Sequence, residues 1–168
     1  MRSKNYEAMQ QMNIMSFLDD RAISIDLKSQ TSKEEVIREL LELLVNAGAI
    51  KEKDVGKLMQ TLLKRESLGS TGIGQGLAIP HGKSDCVTKL VAAFGISRSG
   101  VNFDSLDGEP VHIFFLLIAP EDSAGPHLKA LARISRLLKD KHFRDSLRAA
   151  KDEKTLVRII HEEDLRRH

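Results

Sequence analysis

At 168 residues, with 41% hydrophobic and 30% charged side chains, the chain is sized for one domain with a sizeable core, and its composition argues against wholesale disorder. The net charge of +2 is spread over interspersed acids and bases, leaving no basic tract of the kind a nucleic-acid footprint needs. The single cysteine excludes an internal disulfide framework, and the six histidines show no HExxH or HxxxH spacing and have no CxxC beside them, so no zinc or other metal is expected.

Residues 1–13 are polar and aperiodic and are expected to form a loose extension, with the folded domain over 14–168. They carry no apolar signal core, and nowhere does the chain approach the ~18 apolar residues of a membrane span. Cytoplasm is the expected location, without membrane insertion. Ile23, Ile25 and Leu27 alternate with Ser24 and Asp26, which predicts a half-buried strand. Thr31 or Ser32 is placed to cap a helix, with Ser32 to Glu35 in capping-box form. Val36, Ile37, Leu40, Leu41 and Leu44 give that helix its apolar face until Asn46-Ala47-Gly48 stops it. A second helix is predicted from about Glu52 to Glu66. A glycine-rich segment, Gly69 to Gly76, follows and leads into Leu77-Ala78-Ile79-Pro80-His81-Gly82-Lys83. Leu90 to Ser97 and Val111 to Ala119 read as strands, with turns at Ser99-Gly100 and Asp107-Gly108-Glu109-Pro110 between them. Pro120 to Pro126 reads as a loop, and a helix bearing Leu128, Leu131, Ile134 and Leu138 comes next, followed by one or two closing helices. The order predicts a single α/β domain with a sheet of at least four strands.

His81 is the residue best placed for chemistry. Pro80 fixes the backbone before it, and Gly82 leaves room for a partner to approach the ring. An imidazole is mostly neutral at pH 7 and carries one bare, nucleophilic nitrogen when the other is protonated and held by an acceptor. Attack on phosphorus would then need amide donors and a cation for the phosphoryl oxygens, which the glycine-rich backbone and Arg65 or Lys83 could supply. Taken alone, a histidine at a strand end reads more readily as a structural residue than as a nucleophile. Two nucleotide-binding readings fail on spacing. Gly82-Lys83-Ser84 lacks the glycine that GxxxxGK[ST] requires at 77, and Gly72 to Gly76 misses GxGxxG by one position, with Pro80 where the helix should open.

The run Arg65-Glu66-Ser67-Leu68-Gly69-Ser70-Thr71-Gly72-Ile73-Gly74-Gln75-Gly76-Leu77-Ala78-Ile79-Pro80-His81-Gly82-Lys83 resembles the active-site signature of the type-2 IIA components of the bacterial phosphoenolpyruvate-dependent phosphotransferase system, the fructose/mannitol-type domains and their nitrogen-regulatory relatives. Phe103-Asp104-Ser105-Leu106-Asp107-Gly108-Glu109-Pro110-Val111 and Gly125-Pro126-His127-Leu128 resemble two further landmarks of that family, in the same order. The resemblance spans roughly residues 14–163. It implies a mixed sheet flanked by helices on both sides and a phosphoryl group accepted on His81 from an HPr-type carrier. It further implies Arg65 as a charge-neutralising neighbour and His127 as a second histidine close to the first. Ser70 and Thr71 match hydroxyl positions that either bond the phosphoryl group or cap the turn, and Gly82 follows the nucleophile. Glu66 belongs to the signature without an evident chemical task. Lys83 reads as a rim charge, His112 as structural or exposed, and His142, His161 and His168 carry no role. No cofactor is implied, since the transfer runs from protein to protein.

No IIB, HPr-like or membrane segment is visible within the 168 residues, and two roles stay open. One is a nitrogen-type regulator whose phosphorylation state governs a transporter or kinase. The other is a step of sugar uptake that passes phosphate to a separate IIB subunit. The Arg65 to Gly74 and Phe103 to Val111 stretches lean toward the regulatory type. A binding module that kept the fold and lost the chemistry is the remote third reading.

Overall fold

The longest apolar run of the sequence becomes the centre of a mixed sheet. The computed structural model describes residues 13–29 and 32–166. The expected extension therefore lies outside the described residues except for Asn13, as do the candidate cap Thr31 and the terminal His168. In chain order, strand β1 (Leu18–Ser24) precedes helices α1 (Lys33–Asn46) and α2 (Val55–Ser67). Three short strands follow, β2 (Gly72–Gly74), β3 (Leu77–Ala78) and β4 (His81–Lys83), then the long β5 (Val91–Val101) and β6 (Val111–Ala119). Helices α3 (Ala124–Leu138), α4 (Lys141–Ala149) and α5 (Glu153–Arg166) close the chain.

The six strands are ordered β1-β5-β6-β3-β2, with β4 also paired to β6. Strand β6 is antiparallel to β5 and parallel to both β3 and β4. Its side chains alternate between two cores, as the two-residue period of a strand requires. Phe114, Leu116 and Ile118 pack under α1 and α2, whereas Ile113, Phe115 and Leu117 pack under α3 to α5. A strand covered on both faces has no polar side to show, hence the unbroken apolar run. Each buried side chain of this size contributes roughly 1.5–3 kcal/mol relative to exposure. One edge-to-face aromatic pair sits in each core, Phe103–Phe114 at 5.4 Å and Phe94–Phe115 at 5.6 Å.

Local chemistry sets the element ends. Ser32 Oγ accepts from Glu35 N at 3.1 Å, so Ser32 is the cap of α1. Gly48 ends the same helix with φ +75°, the left-handed geometry common just past a helix. A 3-10 turn over Glu52–Asp54 runs directly into α2.

Three expectations shift. The first strand lies earlier than the 23–27 alternation suggests. Its register with β5 breaks between Leu18 and Ile23, so the Asp19–Arg21 stretch loops outward and Arg21 pairs with Asp19 at 2.9 Å. Ile25 falls beyond the strand, and Leu27 rejoins the sheet through its N–H to the Ile96 carbonyl, 2.8 Å. Ser99-Gly100 is not a turn between strands. It is a bulge inside β5, where pairing jumps from Ile96↔Ile113 to Val101↔Val111. His112 fills that bulge, its Nδ1 2.9 Å from the Ser97 carbonyl oxygen, which is the structural role open to it. Helix α3 begins at Ala124, before Pro126. A proline in the first turn loses no helical hydrogen bond, because that N–H has no intrahelical partner.

Candidate active site

The parallel course of β4 and β6 decides where the site lies. His81 is in register with Leu117 and Lys83 with Ala119, so both strands end together, and the loop leaving β6 delivers the first turn of α3 beside β4. Crevices at the carboxyl ends of parallel strands are the usual ligand positions of such sheets. The preceding segment is a tight hairpin whose two central residues, Gln75 at φ +58° and Gly76 at φ +76°, both take the left-handed conformation. That is the pattern of a type I′ turn, whose twist matches the strands it joins. The apolar strand expected to lead into the histidine is interrupted at Ile79-Pro80, and His81 opens a short strand of its own on the same neighbour.

The half-buried His81 ring lies with Nδ1 2.7 Å from the Ile79 carbonyl oxygen. A carbonyl only accepts, so Nδ1 carries the proton and Nε2 is the bare nitrogen. Burial is the main cause that lowers the His81 pKa below its ordinary value, and the Arg65 cation lowers it further. The Ile79 hydrogen bond and the Glu66 charge act the other way. The net result is a neutral ring at pH 7.

His127, the fourth residue of α3, is 5% exposed and meets His81 edge to face, with ring centroids 5.6 Å apart. Its Nε2 is buried with no hydrogen-bond partner. An orphaned buried polar atom costs roughly 1–3 kcal/mol, and this one belongs to a ring that lines the same cleft as His81. Burial, reinforced by His81 and Lys83, lowers the His127 pKa to about 4. Arg65, in the last turn of α2, donates from Nη1 to the Gly69 carbonyl at 2.8 Å. Arg65, His81, Gly82, Lys83 and His127 share one cleft of about 460 Å³ with apolar Leu128 at its rim. At Gly82 the backbone runs close to α2, since a Cβ would come 3.0 Å from Thr61 Cγ2, tighter than an ordinary contact.

Ser70 and Thr71 are not among the residues that line the cleft. Ser70 Oγ donates to the Phe103 carbonyl at 2.7 Å and accepts from Gly72 N at 2.9 Å, so it caps the turn. Thr71 is buried, and both its N–H and its hydroxyl go to the Glu66 carboxylate. Glu66, for which the sequence offered no task, is itself 6% exposed and pairs with Lys33 at 3.2 Å. Position within the signature was the only available signal, because the Lys33 partner lies on another helix. His142 and His161 are exposed. Among the described residues no cluster of three or more His, Cys, Asp or Glu could hold a metal ion, and no helix is long and apolar enough to cross a membrane.

Sheet order, flanking helices and paired histidines define an α/β domain with a histidine-centred cleft. Residues 16–163 match the family of the phosphoenolpyruvate-dependent sugar phosphotransferase system, EIIA 2, and the chain belongs to that family. It is 39% identical over 153 residues to the PTS system fructose-specific EIIABC component of Bacillus subtilis, covering 91% of this chain and 24% of that one. It is 38% identical over 149 residues to a nitrogen regulatory protein of Bradyrhizobium diazoefficiens, covering 89% of this chain and 95% of that one. The chain thus spans about a quarter of the first relative and nearly all of the second. The crystal structure of nitrogen regulatory protein IIA-Ntr from Neisseria meningitidis superposes with a TM-score of 0.78 at 35% identity, over 88% of this chain and 98% of that one.

Proposed function

We propose that this protein is a IIA phosphocarrier that accepts a phosphoryl group on His81 Nε2 from the phosphohistidine of an HPr-type protein, in a regulatory relay of the nitrogen type. The observation that carries the reading is the pairing of a bare Nε2, with Nδ1 fixed on Ile79, and the orphaned Nε2 of the adjacent His127. In the transfer the His81 Nε2 lone pair forms the new P–N bond while the donor's P–N bond breaks, and that electron pair returns to the donor ring. The proton stays on Nδ1 and remains donated to the Ile79 carbonyl, which stabilises the positive charge the ring acquires. Arg65 neutralises phosphoryl charge in the cleft, and the neutral His127 ring donates one hydrogen bond to a phosphoryl oxygen. Ser70 and Thr71 act on the loop rather than on the phosphoryl group, and Gly82 keeps α2 close while leaving the ring approachable.

Likeness to a nitrogen regulatory protein over 95% of that relative's length supports the regulatory role. The 39% identity to a fructose-specific EIIABC component supports the alternative of sugar uptake, with a IIB subunit as acceptor. Cytoplasm is the place for either. Incubation with phosphoenolpyruvate, enzyme I and an HPr-type carrier should add one acid-labile, base-stable phosphoryl group to the wild type and none to His81→Ala. Undiminished phosphorylation of His81→Ala by mass would overturn the reading. Fast onward transfer to a fructose-type IIB would favour uptake, and its absence regulation.

A further inference from the structure

The neighbourhood of His81 contains a buried carboxylate that no step of the transfer uses. Glu66 is the residue after Arg65 in α2, yet its side chain turns inward and is 6% exposed. A buried carboxylate is tolerated only when donors surround it, and Glu66 has them. Thr71 N lies 3.1 and 3.2 Å from its two oxygens, and the Thr71 hydroxyl donates to it as well. Lys33 Nζ completes the set at 3.2 Å while also pairing with Asp104 at 3.3 Å and lying 5.2 Å above the Phe103 ring. Thr71 in turn accepts the Ile79 N–H on its carbonyl at 3.0 Å. Ile79 is the residue whose own carbonyl holds His81 Nδ1 at 2.7 Å.

Building on the phosphocarrier reading, we propose that Glu66 is a positioning residue for His81, acting through the hydrogen-bonded series Glu66 carboxylate, Thr71, Ile79, imidazole Nδ1. Thr71 donates to Glu66 and accepts from Ile79 through different peptide groups, as does Ile79 in its turn. The series therefore passes on position rather than polarisation. Its consequence is chemical all the same. The protonated nitrogen of a neutral histidine is chosen by the acceptor within reach, so an Ile79 carbonyl held in place keeps Nε2 bare. A displaced carbonyl releases the ring to the other tautomer, whose Nε2–H cannot attack. The same contacts give the second sequence landmark a task. Phe103 and Asp104 clamp Lys33 over Glu66, and the Phe103 carbonyl takes the Ser70 hydroxyl, so that loop is the outer wall of the frame.

The test is nitrogen NMR of the His81 ring in the unphosphorylated protein, with transfer rates alongside. Wild type should show a single Nδ1–H tautomer. Glu66→Ala should show mixed tautomers, with transfer slowed on the order of 10-fold or more, and Glu66→Gln, which keeps an acceptor for Thr71 but not the Lys33 pair, should fall between. Thr71→Val should move the same way, and Thr71→Ser should restore both tautomer and rate relative to it. If Glu66→Ala does not fold, the two Thr71 variants carry the test unaided. Unchanged tautomers in Glu66→Gln and Thr71→Val would overturn the proposal, whatever their rates. Because the tautomer is read without phosphate, a wild type that accepts no phosphoryl group would refute the phosphocarrier reading while leaving the relay to be decided by the spectra.

Discussion

Two buried carboxylates on opposite faces of the sheet solve the same problem with different consequences. Glu66, on the inner face of α2, is surrounded by Lys33 and the Thr71 N–H and hydroxyl. Asp164, 1% exposed on α5, receives Arg133 Nε at 3.1 Å and Nη2 at 2.8 Å, and Met15 N at 3.4 Å. Each is a charge taken out of water and compensated by matched donors. The difference lies in what the donors are attached to. Arg133 and Met15 belong to α3 and to the turn Ile14–Ser16, so Asp164 fastens structural elements to one another. Thr71 belongs to the loop that leads, through Ile79, to a reactive ring. A buried ion pair is therefore no sign of function until its partners are followed to their end.

The comparison breaks most visibly at Asp164. Replacing it with alanine removes the carboxylate that receives Arg133 Nε and Nη2 in the interior, which should cost about 3 kcal/mol of stability. Under conditions where the variant is folded, its transfer rate should stay near the wild type, since Arg133 ties down α3 further along the helix than His127 and away from the loop that fixes the His81 ring. Denaturant unfolding and transfer assays on the same preparation decide it. A rate that falls further than the folded fraction would place the two carboxylates in one class.

Arg65 comes next, the cation beside Glu66 in sequence and opposite to it in task. Arg65→Ala should slow transfer by ~10²-fold, the size of one preorganised electrostatic contact, with a melting curve close to wild type. Arg65→Lys should recover part of the rate, since an ammonium lacks the planar two-donor fork. Equal rates in all three proteins would reduce Arg65 to the cap it makes on the Gly69 carbonyl.

The two histidines carry an acid-stability signature of their own. An unfolded His127 takes up its proton near the ordinary 6.5, the folded one only near about 4. Between those values the unfolded state binds more protons, so stability falls as pH drops from ~6.5 to ~4 and levels off outside that window. The loss should approach ~3 kcal/mol, the free energy of a shift of this size. His81, also lowered, adds a smaller share of the same sign. His127→Gln should flatten most of the slope in urea melts taken across this range, and an unaltered slope would move the acid sensitivity elsewhere.

How far the sequence disclosed all this follows the range of each interaction. Arg65, His81 and Gly82 sit within one contiguous signature, and His127 follows a proline at a helix start, so the family resemblance could group all four, and they do line one cleft. The two-sided burial of β6 was legible for the same reason, as one continuous apolar run. Glu66 was not, because its meaning depends on Lys33, 33 positions away, and on a hydroxyl that could as well have faced the cleft. The first strand was misplaced because a bulge moved the Asp19–Arg21 charges out of the pleat, and no local pattern announces a bulge. Ser99-Gly100 misled in the opposite direction, since residues that favour turns also favour a bulge, and only the continued pairing with β6 tells them apart.

The smallest expected effect tests whether the site's other wall is held by packing rather than by polar contacts. Gly82 lies in extended backbone, so an alanine there meets no conformational penalty of the left-handed kind, only the approach of α2. Its Cβ would stand 3.0 Å from Thr61 Cγ2 and 3.6 Å from Leu62 Cδ2, tight against the first and comfortable against the second. A shift of a few tenths of an ångström relieves such a contact, so Gly82→Ala should cost no more than ~1 kcal/mol. Thr61→Ser removes the obstructing methyl and keeps a hydroxyl for the Lys57 carbonyl. The double variant should therefore be more stable than the sum of the singles, by up to ~1 kcal/mol of coupling. Transfer should slow modestly in Gly82→Ala, as α2 carries Arg65 outward with it, and should recover in the double variant. Additive stabilities with an uncorrected rate would mean that the methyl group crowds the partner at the cleft mouth instead of the helix behind it.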